Sequence, residues 1–521
     1  MGKYCCLNCL KDFSQKSHYD RHKNRKKPCA NTMQKVNEMI NKAVDDKLHN
    51  IMISTMTVVP ISTPTIVQTA ATTPGILRLP PTDSIRSPSP SATVRLKTHC
   101  TGLNETSYNF IDLFCGIGGF HQALINTNSK CVFACDIDAN CRKIYEQNYK
   151  LKVDSDITKI NIANIPPFDI LCGGFPCQPF SKAGFQKGFE DDRGNLFFNI
   201  CEIIKYHNPK YLLLENVRNL SSHDDGHTWN VIRKNIDELG YHTYSSPVIL
   251  NVLHFNIPQN RERVIIMCKR KDLGELPLLP VIPTNPKRNL TRHIKEFIYE
   301  SFTRVTDSGH ETRPVNTHTD LNENNAKYKI SGKMKDVESV WNEFLQLLIA
   351  NQITIPKFPI WTDWWDNNLS LSDAAFYAKY TGWIDKNREF YNNNKHILQS
   401  WLESSRTNKN WLGAVRKFEW QAGDLLANDS MNTVLWTSRG SGIRVKRLDY
   451  IPTLVAMSMI PVYGPESRKL SPRELLRLQS FPDTFEYDET KIHKQVGNAV
   501  NVTMIERCAR FLIFGEGLFS V

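Results

Sequence analysis

Short apolar runs alternate with helical patterns in the middle of the chain. The runs, rich in β-branched and aromatic residues, are 108–114, 131–136, 168–174, 211–217 and 263–269. Between them, apolar residues recur at helical spacing over 119–126, 138–149, 195–206 and 228–239. This alternation predicts an α/β fold in which a parallel sheet is covered by helices on both faces.

The first hundred residues lack this alternation. Residues 1–30 are rich in Cys and His and predict a compact unit of their own. Residues 31–53 predict an amphipathic helix, and its part over 33–53 could pack on a second copy of the chain or dock on its own chain. Residues 54–100 are rich in Ser, Thr and Pro, so they bury too little apolar surface to fold and predict a disordered linker.

Three further segments follow the linker. The alternating pattern predicts one domain over 106–285. A long irregular stretch rich in Trp and Asn, 286–465, predicts a smaller inserted domain. The regular pattern returns at 466–521, which predicts that the chain re-enters the first domain.

Charge and cysteine content narrow the class of protein. The net charge is +12, and half of it falls in the first thirty residues. These contain eight Lys and Arg, and their only acidic residues are Asp12 and Asp20. A basic end is typical of nucleic-acid binding, although a solvated tail would look the same. Fourteen cysteines without a repeating framework predict reduced thiols and an intracellular protein, nuclear or cytoplasmic. There is no signal-peptide pattern and no apolar run of ~18–20 residues, which predicts no membrane partner.

A glycine-rich turn follows the first predicted strand. Its residues in order include Asp112, Phe114, Gly116, Gly118 and Gly119. Glycines here let the backbone turn tightly against a ligand, and Asp136 at the end of the second strand is placed to bind a ribose. The turn lacks dinucleotide spacing, so an adenosine-type ligand such as S-adenosylmethionine fits better. Asp156 could accept a hydrogen bond from adenine, but by itself a helix N-cap is the better interpretation.

Reacting groups are predicted at the carboxyl ends of the next strands. Cys177 follows Pro176 in a glycine-rich loop, where ligands gather in open α/β sheets. The alternative is a buried, inert thiol. Glu215 and Asn216 end the next strand, and burial of Glu215 is expected to raise its pKa unless it is a structural, ion-paired Glu.

Two arginines follow on a later segment. Gln259, Arg261 and Arg263 alternate, so they share one face of an extended segment. Guanidinium groups on this face would suit an anion or a base carbonyl. The alternative is a solvated start of a strand.

Taken in order, these blocks resemble the cytosine-5 DNA methyltransferase family. The blocks are FIDLFCGIGGF, DID, SDIT, GGFPCQPFS, DDRGNLF, LLLENV, PQNRERV, RKLSPRELLRLQSFPD and QVGNAV, which cover 108–285 and 466–505. The resemblance implies a Rossmann-like S-adenosylmethionine-dependent methyltransferase domain. It also implies that the insertion is a target-recognition domain for double-stranded DNA.

The resemblance assigns a role to each candidate residue. Cys177 would add to carbon 6 of a flipped-out cytosine, so that carbon 5 can take a methyl group. Glu215 would bond ring nitrogen 3 and the exocyclic amine, and Arg263, supported by Arg261, would hold the carbonyl at ring position 2. The cofactor would be bound by Asp112, Phe114, Gly116, Gly118, Gly119, Asp136, Ile137, Asp156, Ile157, Pro176, Asn498 and Val500.

The N-terminal unit has zinc-ligand spacing. Its predicted ligands are Cys6, Cys9, His22 and Cys29. The unit resembles a CCHC-type zinc finger like those near the N-termini of large DNA virus proteins, although its last gap of six residues is unusual. A metal-free, reduced segment is the alternative.

The inserted segment offers a second basic region. Arg439, Arg444, Lys446 and Arg447 lie beside small residues and could contact a groove or phosphates, or could be merely solvated. The Trp-rich stretch is interpreted as the core of the inserted domain.

Two other functions compete with DNA methylation. An RNA (tRNA) cytosine-5 methyltransferase would share the nucleophile, but the tRNA-modifying branch carries a Cys-Phe-Thr element, and 286–465 contain no Cys. A catalytically silent DNA-binding regulator would be expected to lose Pro-Cys or Glu-Asn-Val, and both are intact.

Overall fold

The computed structural model describes residues 4–5, 12–13, 107–176, 196–291, 293–299, 326–365, 374–457 and 459–520. The chain divides into two compact units, Met1–Thr98 and His99–Val521. In the first unit, β1 (Tyr4–Cys5) pairs antiparallel with β2 (Asp12–Phe13). The predicted helix over 31–53 and the predicted linker over 54–100 lie outside the described residues.

The second unit contains a seven-stranded sheet in its described part. From Asn109 to Arg270 the strands are β3 (Asn109–Leu113), β4 (Lys130–Cys135), β5 (Ile170–Gly174), β6 (Tyr211–Val217), β7 (Tyr241–Thr243), β8 (Val248–Asn251), β9 (Gln259–Asn260) and β10 (Glu262–Arg270). All except β9 form this first sheet, in the order β4-β3-β5-β6-β10-β7 with β8 beside β10. The five predicted strands are confirmed as β3, β4, β5, β6 and β10.

The prediction of a purely parallel sheet is wrong. The strands β3 to β6 are parallel, but β10 runs antiparallel to β6, β7 and β8. A parallel neighbour requires a crossover of about a dozen residues or more. Residues 252–261, which contain a 3-10 helix and β9, instead turn the chain back so that β10 lies antiparallel beside β8.

Helices cover both faces of this sheet, as predicted. The first five are α1 (Gly119–Ile125), α2 (Ala139–Tyr149), α3 (Leu196–His207), α4 (His227–Glu238) and α5 (Ile294–Tyr299). Phe120 of α1 packs in one hydrophobic cluster, whereas Phe197 of α3 and Trp229 of α4 pack in another. The apolar faces of these helices therefore hold the sheet between two cores.

A second sheet follows. Its helices are α6 (Lys333–Ala350), α7 (Ala374–Asn393) and α8 (Lys395–Thr407), and the strands are β11 (Ile360–Trp361), β12 (Lys417–Trp420), β13 (Leu435–Arg439), β14 (Gly442–Lys446), β15 (Ile451–Pro452), β16 (Val462–Tyr463) and β17 (Arg468–Lys469). The sheet order is β11-β12-β14-β13-β16-β17, and β15 pairs instead with β9.

The second sheet has its own hydrophobic core. Trp341 of α6 stacks on Phe418 of β12 with ring centroids 4.2 Å apart, and Trp401 and Trp436 are buried in the same cluster. The interpretation of the Trp-rich stretch as a core is confirmed for most of its tryptophans, whereas Trp383 is 46% exposed.

The chain then returns to the first sheet through α9 (Pro472–Leu478), α10 (Ile492–Asn498) and α11 (Val502–Phe514). Ile294 and Phe297 of α5, which fall within 286–465, pack in the main core, and Arg468 of β17, which falls beyond it, joins the second sheet. The boundaries between the two cores therefore differ from the predicted boundaries at 285/286 and 465/466 by a short segment each. Amino-acid composition alone does not show these differences. In the described ranges, no helix has both the length and the apolarity to cross a membrane.

Candidate active site

The carboxyl ends of β5 and β6 bring the predicted reacting segment to one edge. Gly174 of β5 lies opposite Glu215 of β6, and a side chain at Gly174 would place its Cβ 3.4 Å from Glu215 Oε2. Pro176 is described and exposed. Cys177 lies outside the described residues, so the structure fixes its place only through the strand that leads to it.

Glu215 meets a guanidinium at this edge. Arg263 Nε lies 2.7 Å from Glu215 Oε1, and the two side chains are 12% and 10% exposed. Strands β6 and β10 pair so that Arg263 stands opposite Val217, diagonally across from Glu215. The geometry therefore shows the ion-paired alternative that was considered for Glu215. The pair lies at the edge of the sheet, and both side chains keep a small exposed fraction there.

Asn216 of β6 is bonded to the chain that directly follows β5. Its Nδ2 donates to Phe175 O at 2.8 Å, and its side chain is buried. This bond holds the backbone that leads to Pro176 and Cys177. The sequence pattern put Asn216 at the edge without a role, and only its contact with the neighbouring loop supplies one.

Arg261 does not extend toward an open site. It is 1% exposed, and it donates to Leu454 O at 2.9 Å, Gly497 O at 3.1 Å and Ala499 O at 2.7 Å. Gln259 likewise turns inward and donates to Leu478 O at 2.8 Å. The expected shared face of the two arginines is therefore split, because Arg261 fixes the returning chain and Arg263 meets Glu215.

The glycine turn has the backbone geometry expected of a ligand-binding loop. Phe114, Gly116 and Gly118 have φ of 56°, 55° and 89°, a region that favours glycine. A Cβ at Gly118 would overlap the ring of Tyr149, and one at Gly119 would lie 2.7 Å from Val500 Cγ2. A Cβ at Gly116 would meet no atom within 4 Å, so space is left in front of the turn.

The second strand ends in residues suited to a nucleoside. Asp136 accepts from Gly116 N at 2.8 Å and from Asp138 N at 2.7 Å, and burial raises the pKa of this carboxyl. Ile137, the next residue, is 80% exposed. Asp136 and Ile137 therefore present a carboxylate and an apolar surface side by side.

The remaining cofactor candidates lie around this edge. Asp156 caps a 3-10 helix by accepting from Thr158 N at 3.1 Å, so the N-cap interpretation is confirmed, and Ile157 behind it is buried. Asn498 is exposed at the end of α10, and Val500 packs against Gly119.

Asp112 lies behind the turn rather than on its surface. It is fully buried in β3, and its two carboxyl oxygens form no hydrogen bond of good geometry. Burial raises its pKa well above the ordinary value, an effect that the His121 backbone and the Tyr145 hydroxyl oppose only in part. Direct contact of Asp112 with a ligand is not what the structure indicates, because strand burial removes its side chain from solvent.

The described cysteines from Cys115 to Cys508 are all free and buried. Burial raises the pKa of the Cys172 thiol, and it raises the pKa of Cys131 and Cys135 to about 12. Cys172 is therefore an inert core thiol, since a protonated thiol is a poor nucleophile.

No metal site is formed by groups of three or more His, Cys, Asp or Glu within the described ranges. The predicted zinc ligands Cys6, Cys9, His22 and Cys29 lie outside those ranges. The hairpin of β1 and β2 brackets the chain segment that contains Cys6 and Cys9.

Comparison with known proteins adds independent information. Residues 108–513 match the family model described as C-5 cytosine-specific DNA methylase, a match that spans both sheets. The Type II methyltransferase M.AluI of Cellulosimicrobium cellulans is 31% identical over 484 residues, which cover 78% of this chain and 92% of that protein. The Type II methyltransferase M.HhaI of Haemophilus parahaemolyticus is 46% identical over 169 residues, 32% of this chain and 51% of its own length. The crystal structure of S. pombe Dnmt2 methyltransferase is 17% identical, with a TM-score of 0.41 and coverage of 78% of this chain and 99% of that chain.

Proposed function

Because the chain belongs to the C-5 cytosine-specific DNA methylase family, we propose that it transfers a methyl group from S-adenosylmethionine to carbon 5 of cytosine in double-stranded DNA. The observation that supports this most directly is the shared edge of β5 and β6. There, Glu215 and Arg263 are in contact beside Gly174, three residues before Cys177.

Cys177 is the proposed nucleophile. Carbon 5 of cytosine is unreactive until the thiolate forms a bond to carbon 6, which shifts the electron pair of the ring double bond and makes carbon 5 nucleophilic. Glu215 bonds ring nitrogen 3 and the exocyclic amine, and it passes a proton taken up from water to nitrogen 3 as the adduct forms. Arg263 holds the carbonyl at position 2. After methylation, loss of the carbon-5 proton returns an electron pair, which expels the thiolate and restores the double bond.

The cofactor fits the space in front of the glycine turn. When bound, S-adenosylmethionine supplies a methyl group activated by a positively charged sulfur. In the proposed arrangement Asp136 bonds the ribose, Ile137 packs on adenine, and Asp156 and Ile157 border its edge. The methionine part is held by Phe114, Gly116, Gly118, Gly119, Pro176, Asn498 and Val500.

The target cytosine must leave the duplex to reach this edge. Unstacking and unpairing a base costs a few kcal/mol. We assign the compensating contacts to the second sheet and its helices, which act as a target-recognition domain. Strand β15, which follows β14 of the second sheet along the chain, pairs with β9 directly before Arg261. This pairing brings the second sheet close to the active-site edge and supports the assignment.

The N-terminal unit is proposed to be a CCHC-type zinc finger. In support of this proposal, Tyr4 pairs antiparallel with Phe13. Cys6 and Cys9 fall between these two residues in the sequence, where a zinc finger has its first two ligands. Zinc would be held by Cys6, Cys9, His22 and Cys29, and it would stabilise a unit too small to fold on a hydrophobic core.

Replacement of the nucleophile tests the proposed function. Bisulfite sequencing of plasmid DNA from cells that express the full chain is expected to show methylated cytosines at one recurring sequence. Cys177→Ala should abolish methylation and leave DNA binding intact, because the thiolate is needed for addition to carbon 6 and not for the contacts with the duplex. Cys172→Ala, the matched control, should retain activity because its thiol is buried and protonated.

Three outcomes would contradict the proposal. Methylation by Cys177→Ala at the wild-type rate would remove Cys177 from the mechanism. Methylation of tRNA but not of duplex DNA by the wild-type chain would favour the RNA-modifying alternative. Absence of methylation from both substrates, with DNA still bound, would favour the silent regulator.

A further inference from the structure

The turn between β3 and α1 has a backbone shape that its own residues do not favour. Phe114, Gly116 and Gly118 all have φ in the left-handed region. Gly116 and Gly118 adopt this conformation without steric cost, but Phe114 carries a Cβ and is disfavoured there. Contacts from other parts of the chain are therefore needed to keep residues 114–119 in this shape.

Two hydrogen bonds supply such contacts, and both come from the segment that contains α2. Asp136, three residues before α2, accepts from Gly116 N at 2.8 Å. Tyr149, the last residue of α2, donates from its hydroxyl to Gly118 O at 3.0 Å. The turn is thus supported at two points, one on each side of α2 along the chain.

The carbonyl that Tyr149 binds also begins the next helix. Gly118 is the N-cap residue of α1 and offers no side chain to cap it. Its carbonyl oxygen accepts from Gln122 N at 2.9 Å, the first backbone bond of α1, as well as from the Tyr149 hydroxyl. Both lone pairs of this oxygen are therefore engaged, and the bond from Tyr149 fixes the turn and the start of α1 together.

The ring of Tyr149 is held firmly in place. It fills the position that a side chain at Gly118 would occupy, and it stacks on the ring of His121 with centroids 3.8 Å apart and an angle of 12° between the planes. Burial raises the pKa of the Tyr149 hydroxyl well above its ordinary value of 10, so the hydroxyl keeps the proton that it donates. The hydrogen bond to Gly118 O is thus fixed in direction and present at neutral pH.

The end of α2 that carries Tyr149 is anchored to the returning chain. Asn148 Nδ2 donates to Glu486 O at 2.9 Å, and Glu486 N donates back to Asn148 Oδ1 at 2.8 Å. The ring of Phe485 lies 6.3 Å from that of Tyr149, centroid to centroid. Because these contacts do not involve the turn, Tyr149 stays in place even when the turn moves.

Tyr149 packs where the turn has no room for a ligand. A Cβ at Gly118 would overlap the Tyr149 ring, whereas a Cβ at Gly116 would meet no atom within 4 Å. The space in front of the turn therefore opens at Gly116, and Tyr149 supports the backbone next to it.

We propose that Tyr149 is a positioning residue for S-adenosylmethionine, because its hydroxyl holds the Gly118 carbonyl and so keeps residues 114–119 in the binding shape before the cofactor arrives. Tyr149 touches neither the cofactor nor the reacting atoms, and it acts through Gly118. This inference rests on the proposed function, since it requires the cofactor to lie at this turn.

Loss of the hydroxyl has a defined effect on binding. Without it, the turn of the free chain relaxes for part of the time, and the apparent Kd rises by the inverse of the fraction that keeps the binding shape. The net contribution of one hydrogen bond limits this rise to about 2- to 10-fold. Once bound, the cofactor itself holds the turn, so the rate at saturating cofactor does not change.

The test uses Tyr149→Phe in the full chain, which keeps the ring and removes only the hydroxyl. Calorimetric titration with S-adenosylmethionine is expected to give a Kd about 2- to 10-fold above that of the wild type. In methylation assays the KM for S-adenosylmethionine should rise by the same factor while kcat stays constant. Hydrogen–deuterium exchange of the cofactor-free chain should become faster over 114–122.

Tyr244→Phe is the matched control, because it removes a comparable bond elsewhere. The Tyr244 hydroxyl donates to Pro277 O at 2.7 Å, and its ring packs against the same hydrophobic core as that of Tyr149. Tyr244 directly follows β7, at the opposite end of the first sheet from β4. This variant should lower the Tm by an amount similar to Tyr149→Phe, but leave the Kd, the KM and the exchange over 114–122 unchanged.

The outcomes separate this inference from the proposed function. Wild-type Kd and wild-type exchange over 114–122 in Tyr149→Phe would overturn the role of Tyr149. An equal rise of Kd in Tyr149→Phe and Tyr244→Phe would also overturn it, since general loss of stability would then explain both. Failure of the wild-type chain to bind S-adenosylmethionine would contradict the proposed function, and the exchange over 114–122 would still show whether Tyr149 holds the turn.

Discussion

At the scale of single residues, the most unusual feature is the buried polar group behind the glycine turn. Asp112 is fully buried without a good hydrogen bond, while His121 Nδ1 lies 2.6 Å from the Tyr145 hydroxyl. Burial raises the pKa of Asp112 well above 3.8 and lowers that of His121 from 6.5 to about 3. On folding, a proton is therefore taken up by Asp112 and given up by His121 over the pH range between their ordinary values.

This pair leads to a prediction about the pH dependence of stability. In the wild-type chain the two effects on the free energy of unfolding oppose each other, because folding adds a proton to Asp112 and removes one from His121. In Asp112→Asn only His121 remains, so the free energy of unfolding should fall by about 1.4 kcal/mol for each pH unit below 6.5. In His121→Gln only Asp112 remains, and the free energy of unfolding should rise as the pH is lowered from 7 toward 4.

Urea unfolding at several pH values measures both slopes. If the unfolding free energies of the two variants changed with pH in the same direction, the prediction would be wrong. Folding would then not add a proton to Asp112 and remove one from His121.

At the scale of elements, the loop between β3 and α1 combines two glycines with different reasons to be glycine. Gly118 faces the ring of Tyr149, whose hydroxyl donates to Gly118 O at 3.0 Å. Gly116 also has a positive φ, but no atom lies within 4 Å of the place where its Cβ would be. Packing inside the protein therefore accounts for Gly118, and space for a ligand accounts for Gly116.

Alanine at each position is expected to give a different defect. Gly118→Ala should lower the free energy of unfolding by about 2–4 kcal/mol, from overpacking against Tyr149 and the strained backbone. Gly116→Ala should cost only about 1 kcal/mol of stability but reduce affinity for S-adenosylmethionine at least tenfold. Calorimetric titration and thermal unfolding distinguish the two, and an unchanged Kd in Gly116→Ala would place the cofactor away from this turn.

At the scale of the whole molecule, the active-site domain is closed by a distant part of the chain. Arg261 binds carbonyls at Leu454, Gly497 and Ala499, which are 193, 236 and 238 residues away. The buried pair of Arg468 and Glu474, 2.7 Å apart, fixes the point where the chain leaves the second sheet. The insertion and the returning chain are therefore held to the first domain by buried guanidinium groups that donate to carbonyl and carboxylate oxygens.

The N-terminal unit gives a prediction at the same scale. Cys9→Ser in the full chain should remove one bound zinc ion and weaken DNA binding several-fold, because the unit carries half of the net charge, whereas the Kd for S-adenosylmethionine should stay unchanged. Atomic absorption and anisotropy titrations measure these effects, with Cys100→Ser as the control. An unaltered zinc content in Cys9→Ser would remove Cys9 from the ligand set.

The elements of the first domain were predictable because local rules determine them. The runs that became β3 to β6 and β10 are short, apolar and bounded by turn residues, and the four predicted helices have clear apolar periodicity. The position of the glycine turn and of Asp136 at the ends of β3 and β4 was predictable, because a strand followed directly by glycines is typical of a ligand-binding turn. The reversed direction of β10 was not, since local pattern does not encode the direction in which a strand joins its sheet.

The sequence alone determined which segments fold, where each strand ends and which chemical groups stand at those ends. Burial periodicity and turn chemistry act between neighbours along the chain, and neighbours are what a sequence displays. Only the tertiary structure decided that Arg263 meets Glu215 while Arg261 fixes the returning chain, that Asp112 is sealed behind the turn, and that Arg444 shares a face with Lys446 while Arg447 does not. These outcomes depend on contacts between residues far apart in the chain, where packing and the pairing of buried charges select one partner among several that the sequence permits.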